Sequence, residues 1–243
     1  MMLHRTAHAI AAITIATFAP QAVTAESLRI LAAASMTEVV EALAVDFSQN
    51  HPETEIETVF AGSGVLARQI QQGVPADIYI SANSAWVAWL RNQDIGIASQ
   101  VIASNSLVWI GLSDDPATQA TQGSGRIALA DPDAVPAGQY ARQSLMATND
   151  WDRLDGRLIF ATNVRDALGW VVRGHAPFGI VYATDALAYP ELSISPIAAA
   201  THDPILYESL TLTAKAAEFS DYLISDEARD ILASFGFLPP ESE

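Results

Sequence analysis

Four places in the chain set small or hydroxyl-bearing residues just ahead of a helix start, which is the raw material of an anion site. Ala32-Ala33-Ala34-Ser35-Met36-Thr37-Glu38 ends an apolar run with small residues and a serine. Phe60-Ala61-Gly62-Ser63-Gly64 ends another with a Gly-Ser-Gly turn. Residues 131–138 carry Pro132 and Pro136 ahead of a third helix, and Thr162-Asn163-Val164 opens a fourth. Small residues let backbone N–H groups approach a ligand closely. Helix N-termini present unpaired N–H donors and about half a positive charge each. Two or more aimed at one point hold an anion without lysine or arginine. Plainer readings stand beside these. Ser35 and Glu38 have capping-box spacing, and Gly62-Ser63-Gly64 and Gly123-Ser124-Gly125 are ordinary turn sequences. Pro132 and Pro136 suit a strand stop and a helix start. Tyr182, ending a later strand, suits a core as well as a site.

Covalent and metal chemistry are poorly supplied. The chain has no cysteine, which excludes a disulfide framework, an iron–sulfur cluster and a thiol nucleophile. Ser63 is not in a nucleophile elbow, since Ala61 and Val65 stand where that motif needs glycines. No phosphate-binding loop or Gly-x-Gly-x-x-Gly occurs. Beyond residue 25 the histidines are His51, His175 and His202, scattered in a turn, a helix end and a Thr-His-Asp-Pro loop. They have no metal-ligand spacing, and a secreted serine hydrolase would need one of them as its base. Trp86, Trp89, Trp109, Trp151 and Trp170 could suggest a sugar platform, but their helical or strand spacing suits a core. With 28 acidic against 12 basic residues, a net charge of −16 and a single lysine, Lys215, nucleic acid is excluded as a partner.

The elements that must position the four junctions alternate in type. Apolar runs at 28–33, 56–60, 77–81, 106–112, 126–130, 158–161, 178–182, 194–198 and 205–212 read as strands. Met36, Val39, Val40, Leu43 and Phe47 repeat with helical period after the first. Further helices are predicted at 65–71, 86–90, 137–147, 164–173, 214–224 and 227–234, while 113–125 reads as loop. Such alternation predicts an α/β protein whose mainly parallel sheets are flanked by helices. The pattern restarts after residue 125, which predicts two lobes joined by two crossings. Lobe 1 takes 26–107 and 205–243, and lobe 2 takes 108–204. Open α/β sheets bind ligands beyond the carboxyl ends of their strands, where helices begin. All four junctions are such places.

The first 25 residues follow other rules. His4 and Arg5 precede an apolar run at 9–19, Val23-Thr24-Ala25 is a small-residue cleavage site, and Glu26 is the first acidic residue. This is the plan of a secretory signal peptide cleaved after Ala25. The run is well short of the roughly 20 residues a membrane span needs. Loss of Arg5 takes the mature chain to −17. Without a cysteine there is no lipid anchor, so the expectation is a soluble periplasmic protein.

Several blocks together resemble the periplasmic molybdate-binding proteins of ABC transporters. They are Ala32-Ala33-Ala34-Ser35, Gly62-Ser63-Gly64-Val65-Leu66-Ala67-Arg68-Gln69-Ile70 and Pro75-Ala76-Asp77-Ile78-Tyr79-Ile80-Ser81-Ala82. Asp131-Pro132, Val135-Pro136-Ala137-Gly138, Asn163-Val164-Arg165 and Gly179-Ile180-Val181-Tyr182 follow in order, and the resemblance runs to Phe235-Gly236-Phe237. It implies a two-lobed, type II periplasmic-binding-protein fold that closes on a tetrahedral oxyanion, molybdate or tungstate. It also implies that the hydroxyls and N–H groups of Ser35 and Ser63, the N–H groups of Ala137 and Val164, and the Tyr182 hydroxyl hold the oxygens. The metal is then reached only through those oxygens, with no direct protein ligand and no cofactor. A monomer that does no catalysis and delivers its ligand to a membrane permease is implied as well. A receptor for sulfate or another tetrahedral oxyanion is the alternative within the fold.

The chain departs from the resemblance at a few points. Gly62 and Gly64 stand where many relatives have serine, Val65 where threonine is frequent, and Asn83 where aspartate is common. The glycines are expected to remove hydroxyl donors and to loosen the turn. Molybdate carries no proton at neutral pH, so a pocket of donors satisfies it; phosphate keeps one and needs an acceptor. None of the five implied positions is Asp or Glu.

Overall fold

Strands and helices alternate through the computed structural model, which describes residues 26–240. The expected signal peptide at 1–25 and the last three residues of the expected lobe 1 lie outside the described residues. The strands are β1 (Glu26–Ala33), β2 (Thr54–Ala61), β3 (Ile78–Ser81), β4 (Ala98–Asn105), β5 (Leu107–Gly111), β6 (Ile127–Ala130), β7 (Leu158–Ala161), β8 (Phe178–Tyr182), β9 (Ser193–Pro196) and β10 (Ile205–Thr211). The helices are α1 (Thr37–Asn50), α2 (Ser63–Gln71), α3 (Ser84–Arg91), α4 (Pro116–Gln122), α5 (Pro136–Ala147), α6 (Trp151–Leu154), α7 (Val164–Val172), α8 (Ala183–Ala186), α9 (Ala217–Tyr222) and α10 (Asp226–Ser234). Among the described residues, no helix is long and apolar enough to cross a membrane.

Two five-stranded sheets form, in the orders β2-β1-β3-β10-β4 and β7-β6-β8-β5-β9. In each, four strands run one way and one is reversed: β10 in the first sheet and β5 in the second. The reversed strand is the first one laid down after the chain changes lobe. An antiparallel neighbour can be reached directly from such a crossing, whereas a parallel one needs a helical crossover. β4 ends at Asn105 and β5 begins at Leu107, so the first crossing is Ser106. Leu107, expected in lobe 1, pairs with Tyr182 and belongs to the second sheet. The second crossing lies between β9 and β10.

The central strands are apolar on both faces because helices cover both. Ile30, Ile78 and Ile80 pack with Val39, Val40 and Leu43 of α1, while Leu31 and Tyr79 meet Leu66 and Ile70 of α2 and Leu90 of α3. Four elements are absent from the sequence reading: β4, α4 and the four-residue helices α6 and α8. β4 was not expected at all: Ala98-Ser-Gln-Val-Ile-Ala-Ser-Asn is a poor strand sequence on propensity, and only its pairing as an edge strand beside β10 makes it one. α4 lies in the expected loop 113–125. Its Asp115-Pro116 start reads as a turn, but Pro is also favoured at the first helical position. The Asp115 side chain caps it by accepting from the Thr118 N–H at 3.3 Å.

The carboxyl ends of β1, β2 and β3 in one lobe meet those of β6, β7 and β8 in the other. The four junctions singled out in the sequence all lie along this seam.

Candidate functional site

A narrow cavity of about 10 Å³ lies between the lobes where the four junctions meet. Ala33, Ala34, Ser35, Ala61, Gly62, Ser63 and Ala82 line it from the first lobe; Val135, Pro136, Asn163, Val164 and Tyr182 line it from the second. Of the five expected ligand positions, Ser35, Ser63, Val164 and Tyr182 are therefore on its wall. Ala137 is the residue after Pro136 in the first turn of α5. All five are no more than 3% exposed. No charged side chain lines the cavity.

Each position is set by its element. β1 runs into a single 3-10 turn, Ala34–Met36, which turns Ser35 inward before α1 begins. The capping-box reading of Ser35 fails here. Met36 occupies the N-cap of α1 and makes no side-chain cap, and the Glu38 carboxylate pairs with Arg165 instead. The Ser35 hydroxyl lies 3.0 Å from the Tyr207 hydroxyl. Ser63 is the first residue of α2, after Gly62. Its hydroxyl oxygen accepts from the Ala82 N–H at 3.2 Å, and its carbonyl accepts from the Tyr79 hydroxyl at 2.8 Å. With an acceptor lone pair engaged from behind, the Ser63 proton remains free to point into the cavity.

The second lobe contributes helix starts. α5 has Pro136 first and Ala137 second, and its N-cap Val135 has no side chain able to satisfy the first-turn N–H groups. α7 begins at Val164, with Asn163 capping the Asp166 N–H at 2.9 Å. The Val164 N–H, two positions before the capped Asp166, is among the orphan donors of a helix start. Tyr182 ends β8. Its hydroxyl is buried and has no hydrogen-bond partner among the described residues. Burial holds its phenol well above the ordinary range, so it is a protonated donor at neutral pH. The wall thus carries three hydroxyls, two or more helix starts and no carboxylate, an arrangement that can bind a fully deprotonated anion.

Contacts between the lobes seal the cavity. The Gly64 N–H donates to the Ala134 carbonyl at 3.1 Å. A Cβ on Gly64 would overlap that carbonyl oxygen and the Trp86 ring, and one on Gly62 would come within 2.9 Å of the Val135 side chain. The glycine turn, expected to be loose, is a place where the second lobe presses directly against the first. Arg165 of α7 reaches across to Glu38 at 2.6 and 2.9 Å and to the Ser35 carbonyl at 3.3 Å. Its Nε lies 2.7 Å from the buried Asp185 carboxylate. Burial pushes Asp185 up to about 7 against the pull of Arg165 beside it. Its other oxygen accepts from the Tyr182 N–H at 3.3 Å, which ties this clasp to the site. On the far side, the Asn83 amide donates to the Tyr140 hydroxyl at 2.9 Å. An aspartate at 83 has no proton to donate there.

Sequence reasoning missed Arg165, Asp185, Tyr140 and Tyr207. Arg165 stood in a noted motif, and Asp185 follows Tyr182 by three residues, but neither spacing carries a chemical signature. The rival chemistries find no support in the geometry. His51, His175 and His202 are all absent from the cavity wall, as are the five tryptophans. His51 stacks on Phe47 at 3.8 Å, and Trp109 is core. Among the described residues, no group of His, Asp and Glu could hold a metal ion.

Residues 28–238 match the family model described as bacterial extracellular solute-binding protein. The chain is 34% identical to the molybdate-binding protein ModA of Haemophilus influenzae, over 86% of this chain and 88% of that protein. It is 33% identical to ModA of Escherichia coli, again over 86% and 88%. The fold matches the periplasmic molybdate-binding protein of Azotobacter vinelandii with a TM-score of 0.79, covering 88% of this chain and all of that one at 22% identity. On sequence and fold together, the chain belongs to the bacterial extracellular solute-binding protein family, in the group of the ModA molybdate-binding proteins.

Proposed function

We propose that the protein is the extracytoplasmic receptor of an ABC transporter, capturing molybdate or tungstate between its lobes and handing it to a membrane permease. The observation that carries this reading is the Tyr182 hydroxyl, buried and partnerless on a wall that offers donors and no carboxylate. A buried polar group without a partner costs about 1–3 kcal/mol, and a ligand oxygen at this wall would offset that cost. Ser35, Ser63, Ala137, Val164 and Tyr182 are the proposed oxygen ligands, reaching the metal only through the oxyanion. The protein is proposed to act as a monomer, without cofactor or catalysis, after export and cleavage behind Ala25. Identity to two molybdate-binding proteins over most of the chain supports the choice of ligand. Phosphate is disfavoured because its proton needs an acceptor, and no Asp or Glu lines the cavity.

A thermal-shift series with molybdate, tungstate, sulfate and phosphate tests this. Ligand at 100 times its dissociation constant adds about 2.7 kcal/mol, roughly 5–10 °C for a chain of this size. The expected result is a shift with molybdate and tungstate and none with phosphate. An equal sulfate shift would make the protein a general oxyanion receptor, and no shift with any of the four would overturn the reading.

A further inference from the structure

We propose that Tyr207 is a positioning residue for the oxyanion site: held by Asn105, it donates its proton to Ser35 and so turns the serine's own proton toward the ligand. The inference rests on the molybdate reading above and concerns how the site is kept in donor form.

Tyr207 is fully buried in β10, outside the cavity wall. Its ring is fixed edge-on against Tyr182 and Phe237, with centroids 5.9 and 5.1 Å apart. Its oxygen lies 3.0 Å from the Ser35 hydroxyl and 3.3 Å from the Asn105 amide nitrogen. The orientation of that amide follows from its other partners. Asn105 Oδ1 accepts from the Ser106 N–H at 2.9 Å, and Nδ2 also donates to Thr184 Oγ1 at 2.9 Å. An amide NH₂ only donates, so Tyr207 must accept from Asn105. Its single proton then has one acceptor in reach among the described residues, Ser35 Oγ. Burial keeps that phenol protonated.

The direction matters because a serine has one proton. If Ser35 donated to Tyr207, it would have nothing to give an anion, and the Tyr207 proton would be left unpaired in the interior. With the relay running Asn105 to Tyr207 to Ser35, every proton is used and the last one faces the cavity. Ser63 is set by the same device, since the Ala82 N–H donates to its oxygen from behind. Asn105 ends β4 at the first crossing between lobes, so the relay starts from the strand that joins them.

Calorimetric titration with molybdate over a double-mutant cycle tests this, using the parent, Ser35→Ala, Tyr207→Phe and the double variant, with the unliganded melting temperature of each. Ser35→Ala is expected to weaken binding about 10- to 100-fold. Tyr207→Phe is expected to weaken it about 3- to 10-fold in the parent and not at all in the Ser35→Ala background. Asn105→Ala, which leaves the phenol in place, is a second probe, with a loss of about 2- to 5-fold that again requires Ser35. Equal losses in both backgrounds would mean a merely structural role and overturn the relay, as would unchanged affinity in both Tyr207→Phe and Asn105→Ala. Unchanged affinity in Ser35→Ala would remove Ser35 from the oxygen ligands and overturn the relay, whereas no binding by the parent would overturn the molybdate reading itself.

Discussion

At the scale of single residues, the site is a matter of where protons point. Ser63 and, through Tyr207, Ser35 each have their oxygen engaged from behind, whereas the Tyr182 hydroxyl has no partner. This gives Tyr182→Phe an unusual signature. Removing a hydroxyl that is already unsatisfied relieves about 1–3 kcal/mol of desolvation in the unliganded protein, so its melting temperature should hold or rise. Removing a donor from the anion should weaken molybdate binding about 10- to 100-fold. Melting curves and titrations on the same sample separate the two effects. A lower unliganded melting temperature with unchanged affinity would mean that Tyr182 is only core. The sequence leaves these alternatives open because a site tyrosine and a core tyrosine are equally buried. Tyr207 was beyond reach for another reason. Its partners Asn105 and Ser35 are 102 and 172 residues away, and no local pattern encodes such a meeting.

Elements were more legible, and the exceptions have physical causes. The strand-end junctions at Ser35, Ser63, 131–138 and Val164 could be read because a short apolar run gives way to helical period there, with small residues at the change. β4 and α4 could not, since one owes its strand to a neighbour and the other opens with residues that also make turns. The Gly62-Ser63-Gly64 turn shows the limit of reading composition without geometry. Glycine suggests looseness, but here it removes side chains where the lobes touch. Gly64→Ala should therefore hold the lobes apart, because the added methyl meets the Ala134 carbonyl. We expect at least a tenfold loss of molybdate affinity, in line with the roughly 1–3 kcal/mol of overpacking. Small-angle scattering should show a smaller contraction on adding ligand. Gly156→Ala, which adds a methyl to open space, is the control and should change neither. Full contraction and parent affinity in Gly64→Ala would show that closure tolerates a side chain there.

For the whole molecule, the sign of the charge sets a problem that the site solves locally. The chain carries −16, or −17 once Arg5 is gone, and its proposed ligand is a dianion. The cation nearest the site, Arg165, is already occupied by Glu38 and Asp185. At long range the ligand is repelled. At contact it meets helix starts and hydroxyls among buried residues, where interactions are strong and little screened. Salt acts on these two regimes unequally, since the screening length falls from about 30 Å at 0.01 M to about 10 Å at 0.1 M. Association should therefore speed up about 2- to 5-fold over that range, the reverse of a steered encounter. Dissociation, which breaks only the buried contacts, should barely change, so affinity should tighten with salt. Stopped-flow fluorescence can follow both rates, because Trp86 packs against Gly64 at the seam between the lobes. Association that slows as chloride is added would mean that an attractive field surrounds the cleft after all, and that Arg165 or another cation is freed toward the ligand in the open form.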